Sequence, residues 1–252
     1  MKIAKLVAFG DSIIKGVVPE RSRRTGYALL SDNFTEQCRH RLGIDISNYG
    51  KFGGTVRTAQ GILSLHLRKL KSADYTLLEY GGNDCNFDWR EIASDPGVRH
   101  EPHTDLVNFG LNYKEIIDRV RFAGSKPLML SLPPIVPQRY FEFVTRGMSQ
   151  QEKDNVLSWL GGDVEYIMSW HEMYNIEIFK IAGIMKVPVI DITSAFLSQR
   201  GYQRLFCEDG AHPNVEGHKL ISDIVCSYLG KVIPGSCNLS GYRSAMRIPA
   251  LA

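Results

Sequence analysis

The chain reads as an α/β protein, with a five-stranded, mostly parallel sheet covered by helices on both faces to give three layers (α/β/α). Three observations predict this. Short β-rich runs recur at 3–9, 44–48, 75–80, 127–132 and 187–192, with helically spaced segments between them, which is the alternation that builds parallel sheets with crossover helices. The runs are nearly continuous in apolar residues, as strands buried on both faces are. A chain of 252 residues buries about 73% of its surface on folding by the usual area scaling, enough for one substantial core.

Between the first two runs, Tyr27, Leu30, Phe34 and Cys38 recur at three and four residues. Between the next two, Val56, Ala59, Leu63, Leu67 and Leu70 do the same. Each set predicts a crossover helix with one buried face. Ile116, Ile117 and Val120 mark the helix before the fourth strand. The last helix is expected to open at His212-Pro213, with proline in the favoured first turn and Glu216 near the positive end of the dipole. Gly217, Ile221, Ile224, Val225 and Tyr228 then form its packed stripe.

The domain so defined spans 1–230, and the tail 231–252 has no clear period and reads as an extension. Two stretches, 86–112 and 135–170, are longer than a minimal sheet needs. They hold all three tryptophans, Trp89, Trp159 and Trp170, together with Phe87, Tyr140, Phe141, Phe143 and Tyr166. That aromatic content argues against disorder. It fits either a cap beside the carboxyl ends of the strands, where open sheets bind ligands, or an extra packing layer or dimer contact.

Thirty Lys plus Arg against 27 Asp plus Glu leave a net charge of +3, too small and dispersed to indicate nucleic acid or an anionic membrane as partner. The tight cluster Arg21, Arg23 and Arg24 reads as a solvated loop or as an attractor for an anionic substrate group. Five cysteines, Cys38, Cys85, Cys207, Cys226 and Cys237, include no Cys-x-x-Cys pair, which is poor material for a disulfide framework or a zinc site. Reduced thiols and a cytoplasmic location are expected. The apolar run at 6–9 is too short for a signal peptide, and no stretch approaches the roughly 18 apolar residues of a membrane span.

Four short blocks carry chemistry. The first strand runs into Gly10-Asp11-Ser12, which puts a hydroxyl at the crevice end of the sheet; a serine there also suits a helix N-cap. After the second strand comes Asn48-Tyr49-Gly50-Lys51-Phe52-Gly53-Gly54, a tight turn or a backbone that approaches a ligand closely. The third strand ends in Gly81-Gly82-Asn83-Asp84, where Asn83 can present amide hydrogens to developing negative charge or simply form a turn. Asp209-Gly210-Ala211-His212 offers an imidazole suited to general base work, with a carboxylate three residues earlier to hold one ring nitrogen.

Taken together and in this order, Ser12, Gly53, Asn83 and the Asp209/His212 pair resemble the four blocks of the SGNH, or GDSL-type, hydrolase family, over a span from Ile3 to about Leu229. The resemblance implies that family's flavodoxin-like fold and a serine-dependent hydrolysis of carboxylic esters. In it Ser12 would be the nucleophile, His212 the base and later acid, and Asp209 the residue that orients the imidazole. The backbone N–H groups of Ser12 and Gly53, with the Asn83 side chain, would form the oxyanion hole. Phe52 departs from the pattern, since many relatives have a small serine there, and it bears on the pocket's shape.

The expected substrate is a short acyl (acetyl) ester, with carbohydrate as one alcohol, and Trp89, Tyr140 and Trp170 as stacking surfaces for it. Longer-chain lipid esters or thioesters are the second reading. A catalytically silent binding protein is the third, disfavoured because a binder has no need of Ser12, Asp209 and His212 together. No cofactor is expected, and a homo-oligomer is left open. A nucleotide-binding domain is disfavoured because the first turn lacks Gly-x-Gly-x-x-Gly and Gly-Lys nowhere precedes Ser or Thr. There is also no Gly-x-Ser-x-Gly elbow. His100-Glu101-Pro102-His103 resembles a metal-binding run only loosely, since Pro102 disfavours the helix that would align both imidazoles. Cys85 and Cys207 fall near the motifs, with buried packing the expected role of both.

Overall fold

The computed structural model describes residues 4–233. In chain order the elements are β1 (Lys5–Gly10), α1 (Ser12–Lys15), β2 (Val17–Pro19), β3 (Tyr27–Leu29), α2 (Phe34–Leu42), β4 (Asp45–Gly50), α3 (Val56–Leu65), α4 (Leu67–Ser72) and β5 (Tyr75–Glu79). They continue with α5 (Trp89–Ser94), α6 (Leu106–Phe122), β6 (Lys126–Leu130), α7 (Pro137–Val144), α8 (Gln150–Trp159), α9 (Tyr166–Met185), β7 (Val189–Ile190), α10 (Thr193–Leu197) and α11 (Val215–Val232). Ile3, Cys237 and nearly all of the expected tail lie outside the described residues.

The main sheet has five strands in the order β4-β1-β5-β6-β7, all parallel. Alternation along each strand divides the core in two. Leu6, Ala8, Leu77, Leu128 and Leu130 face α2 and α11 on one side. Val7, Phe9, Leu78 and Met129 face α3, α6 and α9 on the other. The strand order reverses between β1 and β5, so the loops that leave their carboxyl ends diverge and open a crevice there.

The fifth strand is shorter than the sequence suggests. Only Val189 and Ile190 pair with β6, because beyond them the amides of Ile192 and Thr193 donate to the Ser131 hydroxyl, at 2.8 and 3.1 Å, instead of to a ladder. The first crossover also differs. Tyr27 belongs to β3, which pairs antiparallel with β2 in a separate hairpin, and the helix starts only at Phe34. There the Asn33 side chain accepts from the amides of Thr35 and Glu36 and so fixes the N-terminus. The second crossover is two helices meeting at His66, with Val56, Ala59, Leu63 and Leu70 buried as expected but Leu67 exposed. The last helix opens at Val215, after the predicted proline, because Asn214 caps it by accepting from the amides of Glu216 and Gly217.

The two long stretches fold into a third, smaller apolar cluster. Phe87, Trp89, Ile92 and Ala93 from α5 and its approach pack with Ile135, Met148, Val156, Leu160 and Ile167.

His218 on α11 is fully buried and stacks on Phe34, with ring centroids 6.0 Å apart. Its Nδ1 accepts from the Phe34 amide at 3.4 Å, and its Nε2 is sealed without a partner. Burial, helped by the nearby His212, lowers its pKa from 6.5 to about 4. The unfolded chain takes up a proton near pH 6.5 and the folded chain does not. The stability that the neutral ring provides is therefore complete above pH 6.5 and is lost as pH falls through about 4. Between those limits the wild type should lose about 3 kcal/mol of unfolding free energy relative to a His218→Phe variant. Urea midpoints for both proteins at pH 7.5 and pH 4 check this, and an unchanged gap would remove His218 as the source.

Candidate active site

Ser12 is the first residue of α1, directly after β1, and is buried. It is not the cap: Asp11 is, its carboxylate accepting from the Ile13 amide at 2.8 Å. The Ser12 side chain is thereby left free of the capping role, and its amide belongs to the first helical turn, where N–H groups have no intrahelical acceptor.

His212 arrives from the far end of the chain on a loop that is tied on several sides. Phe206 bridges Pro213, the Cys207 amide donates to the His212 carbonyl at 2.8 Å, and the Val136 amide donates to the Gly210 carbonyl at 2.8 Å. Gly210 has φ +71°, and a Cβ there would meet the Val136 carbonyl oxygen at 2.6 Å and the Tyr140 nitrogen at 2.8 Å. Only glycine lets this loop seat against the start of α7.

The side chains meet as a continuous relay. Ser12 Oγ lies 2.9 Å from His212 Nε2, and His212 Nδ1 lies 2.6 Å from Asp209 Oδ2. The other Asp209 oxygen accepts from the amides of Ala211 and His212, each at 3.1 Å. Burial alone would raise the Asp209 pKa, but the hydrogen bond and charge of His212, with these two amides, outweigh it and hold the carboxyl below its usual value. The residue stays an anion beneath the imidazole.

Gly53 and Asn83 border the same cavity, of about 260 Å³, as do Tyr27, Phe52, Leu132, Pro133, Ile135, Tyr140, Phe143 and His171. Gly53 has φ +68° with open space where a Cβ would stand. No acceptor among the described residues takes its amide, which is free to serve a ligand. Asn83 Nδ2 donates to Asp11 Oδ2 at 2.8 Å, which spends one amide hydrogen on orientation and leaves the other. From the far side, His103 Nδ1 sits 3.0 Å from the Asn83 carbonyl oxygen. That contact accounts for one histidine of the loose metal-like run, and His100 Nε2 is 2.8 Å from the Asp95 carbonyl.

Under this corner lie two carboxyls that cannot both be charged. Burial, and then the charge of Asp11, push the Glu79 pKa well above its usual value. Burial also raises Asp11, partly offset by its hydrogen bonds. Asp11 already accepts from Ile13 and Asn83. Of the two, Glu79 is the one pushed furthest towards its neutral form, which leaves Asp11 as the carboxylate that orients Asn83. Nearby, burial pushes Asp84 up to about 7, and its oxygens accept from the Val56 amide at the start of α3.

Of the three side chains expected to stack on substrate, Tyr140 lines the cavity, with its hydroxyl donating to Asn86 Oδ1 at 2.8 Å. Trp89 and Trp170 stand one layer back. The Trp89 indole donates to Asn86 Oδ1 at 2.8 Å and that of Trp170 to the Cys85 carbonyl at 2.9 Å. Their rings pack against Phe87, Trp159 and Tyr174. The narrow crevice they line behind the cavity has room for only about 20 Å³. The ring of Phe52 lies parallel to the His212 imidazole at 6.4 Å, and Tyr27 meets the same ring edge-on at 5.9 Å.

Sequence reasoning passed over Tyr27, which its spacing assigned to a helix, and His171, whose helix begins inside the second long stretch. Arg21 of the basic cluster pairs through two hydrogen bonds, 2.7 and 2.6 Å, with Glu208 beside the relay carboxylate. Cys85 is buried against the Gly82 carbonyl, and burial raises the Cys207 thiol to about 12. Neither is a ready nucleophile.

A family model described as the GDSL-like Lipase/Acylhydrolase family matches residues 8–220. Among solved structures, a lipase/acylhydrolase from Enterococcus faecalis superposes with a TM-score of 0.61 at 16% identity, covering 90% of this chain and 95% of that one. A catalytic mutant of an acetylxylan esterase from Geobacillus stearothermophilus superposes with a TM-score of 0.62 at 18% identity, covering 91% and 97%. An α/β hydrolase from the metagenome of Lake Arreo gives 0.61 at 19%, with the same coverage. At these identities the superpositions establish the fold. A search of curated protein sequences finds no match. Among the described residues no helix is long and apolar enough to cross a membrane.

Proposed function

The chain belongs to the GDSL-like lipase/acylhydrolase family and is a carboxylic ester hydrolase, and from that premise we propose that it removes short acyl groups, acetyl foremost, through an acyl-enzyme on Ser12. The observation that carries this reading is the unbroken relay from hydroxyl to imidazole to carboxylate, 2.9 and 2.6 Å long. Ser12 Oγ attacks the ester carbonyl as His212 Nε2 takes its proton. Asp209 stabilises the resulting imidazolium, and the alcohol leaves with the His212 proton. Water then repeats the sequence on the acyl-enzyme. The amides of Ser12 and Gly53 and the free hydrogen of Asn83 receive the oxyanion.

The narrowness of the crevice behind the cavity supports a short acyl group. The crevice behind the cavity holds about 20 Å³, room for about one methyl-sized group, because the aromatic side chains of the cap fill the volume that a long chain would need. The acetylxylan esterase from Geobacillus stearothermophilus that shares the fold supports acetyl on a carbohydrate as the first ester to test.

Three measurements test the reading. A fluorophosphonate should label Ser12 of the folded protein, and absence of label would reject the serine mechanism. A series of 4-nitrophenyl esters should show kcat/KM falling as the acyl group lengthens from acetyl, whereas a rise towards long chains would favour a lipase or thioesterase. Asn83→Ala should lower kcat on the acetate by about 10² to 10³, the usual value of one oxyanion donor. An unchanged rate in a protein that melts normally would remove Asn83 from the mechanism.

A further inference from the structure

A second imidazole stands in the cavity wall and takes no part in the relay. His171, on α9, is 3% exposed and borders both the cavity that holds Ser12 and the crevice behind it. Its Nδ1 is sealed from solvent without a hydrogen-bond partner. No acceptor or donor among the described residues pairs with its Nε2. The sealed Nδ1 faces Glu172, whereas Nε2 is not among the sealed atoms, which makes it the ring position open to a ligand in the cavity that His171 lines.

Glu172 stands beside it, its Oε1 3.7 Å from His171 Nδ1, too far for a hydrogen bond but close enough to favour the proton on that nitrogen. The carboxylate is itself anchored. Its other oxygen accepts from Asn175 Nδ2 at 3.0 Å, and Asn175 Oδ1 accepts from the amide of Leu132 in the cavity wall at 3.0 Å. Burial would raise the Glu172 pKa, but His171 and Asn175 beside it prevail and keep it below the usual value. With the proton on Nδ1, the opposite ring nitrogen, Nε2, carries a lone pair and is an acceptor.

We infer that His171 recognises a free hydroxyl on the substrate close to the scissile ester, accepting its hydrogen bond at Nε2, with Glu172 as the positioning residue that sets the tautomer. The inference rests on the serine esterase reading of the same cavity and narrows it: the substrate is a hydroxylated ester, not a plain hydrocarbon one. The hydroxyl can come from the alcohol, as in a polyol or sugar acetate, or from the acyl group, as in a 2-hydroxyacyl ester.

Ethyl acetate, glycerol monoacetate and ethyl glycolate separate these cases when each kcat/KM is divided by the ester's rate of alkaline hydrolysis. The wild type should favour one hydroxylated ester over ethyl acetate by about tenfold, the scale of one hydrogen bond to a buried group, and which one is favoured identifies the source. His171→Phe, which keeps a ring in the aromatic surroundings but has no acceptor, should erase that preference while ethyl acetate turnover stays within about threefold. His171→Gln, which retains an acceptor, should restore much of it. A wild type without preference overturns the inference, as does a His171→Phe protein in which all three esters fall together. Failure of the underlying reading shows differently, as hydrolysis of all three esters by Ser12→Ala.

Discussion

Ser12→Ala and His212→Ala should each lower kcat on a short acyl ester by about 10⁶, and the double variant should lose no more than either single one. The hydroxyl and the imidazole act as one unit: without Nε2 the Ser12 proton has no acceptor, and without Oγ the imidazole has nothing to activate. The structure makes the experiment clean. Because Asp11 caps α1, removing the Ser12 hydroxyl breaks one hydrogen bond, to His212, and leaves the helix start intact. The residual rate would come from the oxyanion donors and binding alone. Losses that multiply in the double variant would show two independent contributions and would break the relay as a unit. Initial rates with titrated enzyme, beside thermal melts of each variant, decide the matter.

The parts of the molecule legible in its sequence are those whose pattern is local. Four of the five sheet strands carry apolar runs within a residue or two of their ends, and Ser12, Gly53 and Asn83 each follow one of them directly. A loop at the carboxyl end of a parallel strand faces the crevice whatever else the fold does, so position along the chain implied position in space. His212 was legible for a related reason, since the loop that carries it leads into a long helix.

What was not legible depended on partners distant in sequence. Tyr27 has helical spacing to Leu30 and Phe34, yet it pairs with Pro19 across a hairpin, and three-residue strands leave almost no periodic trace. Pro213 looks like a helix start until Asn214 is seen to cap the next turn. Trp89 and Trp170 would read the same whether they met a sugar or the protein's own rings, and composition carries no information on which; here both pack against Phe87. That burial and the charge of Asp11 push Glu79 towards its neutral form requires β1 and β5 to be neighbours, a fact of topology.

Asp209→Asn should lower kcat by about 10⁴ while leaving the fold and the Ser12–His212 distance nearly unchanged, by the precedent of serine proteases. The reason lies in how the side chain is held. One oxygen accepts from the amides of Ala211 and His212, and both are donors, so an asparagine must keep its carbonyl oxygen at that position. Its NH2 group is then forced to face His212 Nδ1 from 2.6 Å. A donor there makes Nδ1 the acceptor and moves the ring proton to Nε2, where it points at Ser12 Oγ. The imidazole can no longer take the serine proton, and the imidazolium, were it to form, would have lost its counter-charge. An Asp209→Ala variant lacks this enforced tautomer as well as the anion, so its ring can present either nitrogen to Ser12. If it retains more activity than Asp209→Asn, the fixed wrong tautomer is the larger cause of the loss; if the two are equally slow, the missing charge is. Proton NMR of the Nδ1 and Nε2 resonances reports the tautomer directly, and an asparagine variant that still carries its proton on Nδ1 would refute the mechanism given for it.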